Sequence, residues 1–348
     1  MAIVGAFDVH RAQLTFDYLD TETGEIRTGQ VRPGTRAALH EFLARFDQRD
    51  DVAFAVEGCT GWRFVVEELH HRGITAHLAE PADTATLRGR KKRAKTDRAD
   101  ARHLRELLTQ DRLPESWIPP AHVLEVRTTA RLYIALMDER RAWQQRIHAQ
   151  LFHQGVPKPA GLLTEDGRVL LQDAELSPAG RQWMDVALAQ IDSLTDQILP
   201  IRAQLARVAT RQAGCRALMG RYGIRALTAP IIWAELGDTR RFSSSDKAVR
   251  HAGLDITVYS SDTKRAPGHL ARQGPPALRW ALFEAAHAAC RPTSPDHAYY
   301  LAAKQRLGGK EPMLSVARKL VRWCHHTLRT LGDRAWEPIA EHAMKPAA

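Results

Sequence analysis

The chain opens on an apolar run, Ala2 to Phe7 (AIVGAF), that ends in Asp8. The QLTFDYLD that follows alternates apolar and polar positions at the two-residue period of a half-buried strand. ETGEI then reads as a hairpin turn, with Gly24 supplying the backbone freedom. Between Thr35 and Arg49, Leu39, Phe42, Leu43 and Phe46 keep helical spacing and predict an amphipathic helix. VAFAVE predicts a buried strand ending in Glu57, GWRFVVEELHHRG a helix closed by Gly73, and ITAHLAEP a further strand stopped by Pro81. Strand, hairpin, helix, strand, helix, strand is an α/β order. Two of its strands deliver a carboxylate at or near their C-terminal ends, where open α/β sheets build their sites.

Beyond this point the pattern turns helical. A helix is predicted from Asp97 to Thr109, ahead of Pro114, and Pro119-Pro120 mark a linker. Val123 to Gln154 reads as one long helix with Leu132, Leu136, Trp143, Ile147 and Leu151 on a broad face. A second begins after Pro178, and its apolar positions Ala187, Ile191, Leu194, Ile198, Ile201, Leu205 and Val208 alternate steps of four and three. That heptad seam asks for a partner helix, from the same chain or from a second copy, and Pro200 is expected to kink it. Near Gly214 a third region opens: LMGRYGIRALTAPIIWAELGD sets a glycine-containing turn between two helical patterns, like a helix–hairpin–helix that offers backbone amides to phosphate. FSSSDKAVRHAGL carries a capping serine ahead of a short helix. A polar, basic loop (DITVYSSDTKRAPGHLARQG) then leads into an apolar helix, and Met313 to Leu331 forms the last one.

Charge changes the picture. Lys and Arg number 50 against 40 Asp and Glu in 348 residues, a net +10 that favours an anionic partner, of which nucleic acid is the commonest large one. The cysteines at positions 59, 215, 290 and 324 are scattered and form no CxxC pair, so neither a disulfide framework nor a zinc site is suggested. No charged n-region with an apolar core opens the chain, and no apolar run approaches the ~18 residues a bilayer span needs. These features predict a cytoplasmic protein without membrane segments.

Candidate chemistry centres on KKRAKTDRADARHLREL, Lys91 to Leu107. Arg88, Arg90, Lys91, Lys92, Arg93 and Lys95 form a run suited to phosphates, yet Asp97 and Asp100 interrupt its continuation. On a helix these acids, three residues apart, project to one side. With Asp8 and Glu57 arriving from strand ends, four carboxylates could converge on a hard divalent cation such as Mg²⁺. Two such ions stabilise the attacking and leaving oxygens of a phosphodiester displacement. The residues alone leave a second reading open, a surface ion network. In the later loop, Ser260 and Ser261 precede Lys264, Arg265 and Arg272; by pattern alone this is a polar turn whose cations hold phosphates.

GAFDVH, AVEGCTGW and KTDRADARHL, in that order, resemble the four-acid (DEDD) RuvC-like domain of a family of insertion-sequence transposases. GLDITVYSSDTKRAPGHLARQG…LRWAL resembles the C-terminal transposase domain of the same family. The resemblance implies an α/β plus α architecture: an RNase H/RuvC-like domain over 1–115, a helical coiled-coil linker over 116–212, a mainly helical transposase domain over 213–335, and a tail. It also implies a DNA recombinase acting on donor and target DNA, guided by a bridge RNA that the element encodes, and working as a homo-oligomer. Asp8, Glu57, Asp97 and Asp100 would then bind Mg²⁺, and Ser261 would attack DNA to form a phosphoserine. The family usually shows serine followed by glycine at the nucleophile, whereas Ser260-Ser261-Asp262 stands here, so Ser260 remains a rival. A RuvC-like junction nuclease that uses no serine, and a non-catalytic nucleic-acid-binding descendant, are the alternatives.

Overall fold

The computed structural model describes residues 2–88, 96–257, 260–261, 264–265, 269–271, 273–309 and 311–339. It divides into two compact units, Met1–Ile118 and Pro119–Ala348.

In the first unit the elements are β1 (Ile3–Val9), β2 (Leu14–Asp20), β3 (Ile26–Val31), α1 (Arg36–Leu43), β4 (Val52–Glu57), α2 (Trp62–His71), β5 (Thr75–Ala79), α3 (Pro81–Leu87), α4 (Asp97–Thr109) and β6 (Glu115–Ser116). They build one sheet in the order β3-β2-β1-β4-β5-β6. β1, β4 and β5 are mutually parallel, while β2, β3 and β6 pair antiparallel. Pro81 does stop β5, but it also occupies the first position of α3, where a missing N–H costs nothing. β3 shows no apolar alternation because nearly all of it lies exposed on the sheet edge.

The pleat separates two kinds of residue. One face of β1 and β4 carries Ile3, Phe7, Val52, Phe54 and Val56, which pack with Leu39, Phe42 and Leu43 of α1 and Val65 and Leu69 of α2. Gly5 makes room for this layer, since a Cβ there would lie 2.3 Å from the Phe54 ring. The other face carries Val4, Ala6, Ala53 and Ala55, and these small side chains let α4 settle closely through Leu104 and Leu108. α4 is fastened at β2 as well: Arg105 donates to Asp17, and both side chains are buried. The helix starts at Thr96, whose hydroxyl accepts from the Ala99 amide at 3.2 Å.

The second unit contains α5 (Ala121–His153), α6 (Glu165–Asp173), α7 (Pro178–Arg211), α8 (Ala213–Met219), α9 (Thr228–Leu236) and α10 (Ser245–His251). Four two-residue strands follow, β7 (Ile256–Thr257), β8 (Ser260–Ser261), β9 (Lys264–Arg265) and β10 (His269–Leu270). α11 (Pro276–Ala289), α12 (His297–Arg306) and α13 (Glu311–Leu331) complete it. The heptad seam of α7 finds its partner within the chain: α5 packs along it, and Ile147, Leu151, Leu171, Met184, Ala187 and Ile191 form a core at one end of the pair. Of the seam residues, Ala187, Ile191, Leu194, Ile198 and Leu205 are buried, while Ile201 and Val208 are half-buried. The helix runs through Pro200 without interruption.

α9 is buried over its whole length, and its one charge, Glu235, is met by α5. Arg131 reaches its carboxylate at 3.1 Å, and Arg127 donates to the Ala234 carbonyl at 2.8 Å. Beside it, His251 of α10 is held neutral, with burial and the nearby Arg241 pushing its pKa down to about 3. Ser244 caps α10 through the Lys247 amide. Trp336 stacks on Trp233 with ring centroids 5.3 Å apart. Among the described residues no helix is long and apolar enough to cross a membrane.

Candidate active site

The sheet changes direction between β1 and β4: the chain builds β2 and β3 outward on one side of β1 and β4 and β5 on the other. Sites in open α/β sheets form at such a point, beyond the carboxyl ends of the strands. Asp8 lies at that end of β1 and Glu57 at that end of β4. The parallel register Phe7↔Val56 sets these two acids level with one another. Their pleat positions continue the Val4–Ala6 and Ala53–Ala55 face, the face that α4 covers. α4 therefore brings its first turn, with Asp97 and Asp100, over the same strand ends.

His10 joins the acids. Its Nε2 donates to Asp8 Oδ2 at 3.2 Å and lies 3.5 Å from Asp97 Oδ1. One ligand atom from each of Asp8, His10 and Asp97 falls within 4.8 Å of the others, a spacing that a single metal ion can bridge. Gln13 Nε2 donates to Asp97 Oδ2 at 3.1 Å and fixes that carboxylate. Asp100 is engaged by Arg88 at 2.5 Å. Opposite Asp8 on β2, Thr15 is fully buried and its hydroxyl has no hydrogen-bond partner among the described residues. Burial raises the Asp8 pKa, the His10 charge lowers it, and the negative charges of Asp100 and Asp97 raise it further. A carboxyl held against ionisation by burial and like charges gains from a nearby cation. The donor set, carboxylate oxygens with one imidazole, suits a divalent cation.

His10 and Gln13 escaped the sequence reading. The signal for His10 was present in D-V-H, where residues two apart share a strand face. Gln13 gave none, because its approach to Asp97 depends on how α4 docks. Of the basic run, Arg88 is described and takes Asp100 as partner, whereas Arg90, Lys91, Lys92, Arg93 and Lys95 lie outside the described residues.

The serine loop belongs to the second unit. Backbone pairing sets Ser260 against Arg265 and Ser261 against Lys264, and a second short ladder joins His269 to Thr257 and Leu270 to Ile256. Arg272 lies outside the described residues, as does Asp262. The base of the loop is anchored by α13, where Arg318 donates to the Leu254 carbonyl at 2.7 Å.

Two family models match the chain. Residues 6–153 match the DEDD transposase model of the IS110 group, and residues 215–301 match the model described as "Transposase IS116/IS110/IS902 family". A transposase for insertion sequence element IS1328 from Yersinia enterocolitica is 24% identical over 261 residues, covering 72% of this chain and 74% of the relative. A two-part protein with acids at parallel strand ends and these matches is a DNA transposase enzyme. It belongs to the IS110/IS116 family of insertion-sequence transposases and carries both of that family's domains. The DEDD domain and the Asp8–His10–Asp97 cluster together point to use of a divalent cation.

Proposed function

We propose that this transposase cleaves and exchanges DNA strands for its insertion sequence with two groups of residues. Asp8, Glu57, Asp97 and Asp100 hold Mg²⁺, and Ser261 attacks the phosphodiester and retains the DNA as a phosphoserine. The observation that carries the first half is the gathering of Asp8, His10 and Asp97 at the strand ends, with Asp8 half-buried beside two further acids. An α/β sheet with acids on its first and fourth strands supports the RuvC-like assignment of residues 1–115. Residues 116–212 serve as the helical linker and 213–335 as the transposase domain.

A divalent cation bound by these acids supplies positive charge to the phosphate oxygens during displacement. Asp8 binds from the strand end and is hydrogen-bonded by His10, Gln13 orients Asp97, and Arg88 pairs with Asp100. The Ser261 oxygen forms a bond to phosphorus as the bond from phosphorus to the leaving sugar oxygen breaks, and the hydroxyl proton passes through solvent to that oxygen, which conserves the phosphodiester energy for rejoining. Acids and serine lie in different units of the chain, which suits a homo-oligomer in which two copies share a site. A guide RNA selects the DNA, as the resemblance implies.

Mass spectrometry of a protein–DNA adduct trapped on a nicked substrate tests this reading. A nucleotide on Ser261 is expected. A nucleotide on Ser260 moves the nucleophile by one residue. Efficient cutting by a Ser260→Ala, Ser261→Ala double variant would transfer the chemistry to a metal-activated water and leave a junction nuclease.

A further inference from the structure

The second unit matches its buried charges carefully. Asp296, almost fully buried, takes Arg221 at 2.7 Å and Lys319 at 2.8 Å, and Glu235 takes Arg131. Three exposed arginines of the same unit are not matched in this way. Arg202 of α7, Arg225 between α8 and α9, and Arg291 beyond α11 have no carboxylate or hydrogen-bond partner for their guanidinium groups among the described residues. All three line one pocket of about 500 Å³, with His287 and a single acid, Glu284.

The pocket is built rather than accidental. Gly223 has φ +95, and a Cβ on it would lie 2.4 Å from the Ala285 carbonyl, so the turn between α8 and α9 closes directly onto α11. Tyr222 and Thr293 tie the same junction, hydroxyl to hydroxyl, at 2.6 Å. Arg225 is then pinned by its backbone: its amide donates to Thr228 Oγ1 at 3.0 Å, and its carbonyl accepts from the Ala229 amide at 2.8 Å. Three exposed guanidinium groups around this hollow, with a single acid among its lining residues, make it a favourable place for an external anion. Guanidinium forks match phosphate oxygens in pairs. Three such forks lining one hollow of about 500 Å³ suit consecutive phosphates of a strand.

We propose that Arg202, Arg225 and Arg291 form a binding site for the phosphodiester backbone of DNA, separate from the serine loop. It rests on the reading of the chain as a DNA-processing enzyme. The site positions the duplex and reads no sequence, as backbone contacts do.

Binding of a labelled DNA duplex to the full chain over a range of salt tests it, with an RNA duplex as the parallel probe. Each phosphate contact removed lowers the steepness of log K against log salt by about 0.9. The Arg202→Gln, Arg225→Gln, Arg291→Gln variant should therefore lose about two to three units of slope on DNA. Replacement of the same three by Lys should restore most of it, and Arg306→Gln, an exposed arginine on α12, should change nothing. Because the three side chains are exposed, the thermal midpoint should not move; should the triple variant misfold, Arg202→Gln and Arg291→Gln singly should each lose about 0.9. An unchanged slope in these variants, with wild type binding DNA normally, overturns the site and leaves the transposase reading intact. A wild-type chain without salt-sensitive DNA binding would overturn both. A slope lost on RNA alone would overturn the assignment to DNA.

Discussion

Asp8 carries two opposed demands. Burial and the neighbouring Asp97 and Asp100 favour its neutral acid, while a metal-holding role needs its carboxylate. A residue kept in such a place is one that function retains against stability. Asp8→Asn is therefore expected to keep or raise the thermal midpoint of the protein while abolishing strand exchange, as scored by calorimetry and a recombination assay on the same preparation. A variant that lost stability and activity in parallel would mark Asp8 as structural. Gly5 lies on the opposite face and makes a contrasting case. Gly5→Ala sets a methyl 2.3 Å from the Phe54 ring, and the overpacking should cost about 1–3 kcal/mol in denaturant unfolding.

At the scale of elements, α4 decides the site, because it carries Asp97 and Asp100 to the strand ends. Its docking depends on alanines beneath it and on the buried Arg105–Asp17 pair. Arg105→Ala leaves the buried Asp17 with only the more distant Arg102, 3.8 Å away, and a loss of about 3 kcal/mol is expected from equilibrium unfolding. Nothing in the sequence announced this pair, since a charge on a helix reads as solvated until a sheet is seen to cover it. By contrast, the span of α4 and the strands ending in Asp8 and Glu57 were legible, because hydrophobic period and capping are local signals. α3, α6 and α12 were not singled out: they are short, α3 starts on the proline that reads as a strand stop, and α6 and α12 follow stretches that read as loops. The serine loop and the pinned arginines mark a further limit, since only folding reveals which cations have partners. α10 contributes a pH dependence. His251 has a folded pKa of about 3 against an ordinary 6.5, so the unfolded chain binds its proton first as pH falls. Its contribution to stability is complete above pH 6.5 and is lost as pH falls from there toward 3, at up to about 1.4 kcal/mol per unit. Burial lowers His122, His148 and His325 in the same sense. Thermal midpoints measured from pH 7 to 5 should fall, and less steeply in His251→Asn.

For the whole molecule, a net charge of +10 is carried by a chain whose buried acids are largely paired, so the surplus is offered to an anionic partner. The acids occupy the first unit and the serine loop the second, and the transposase account requires both to act in one reaction. The most direct measurement is recombination of a plasmid carrying an intact copy of the element, in cells that supply the chain as wild type, Asp97→Asn or Asp8→Asn. The account predicts exchange products with wild type and none with either variant, although both variants accumulate as folded protein. Exchange at wild-type frequency by both variants would contradict it, because the chemistry would then proceed without the carboxylates gathered at the strand ends.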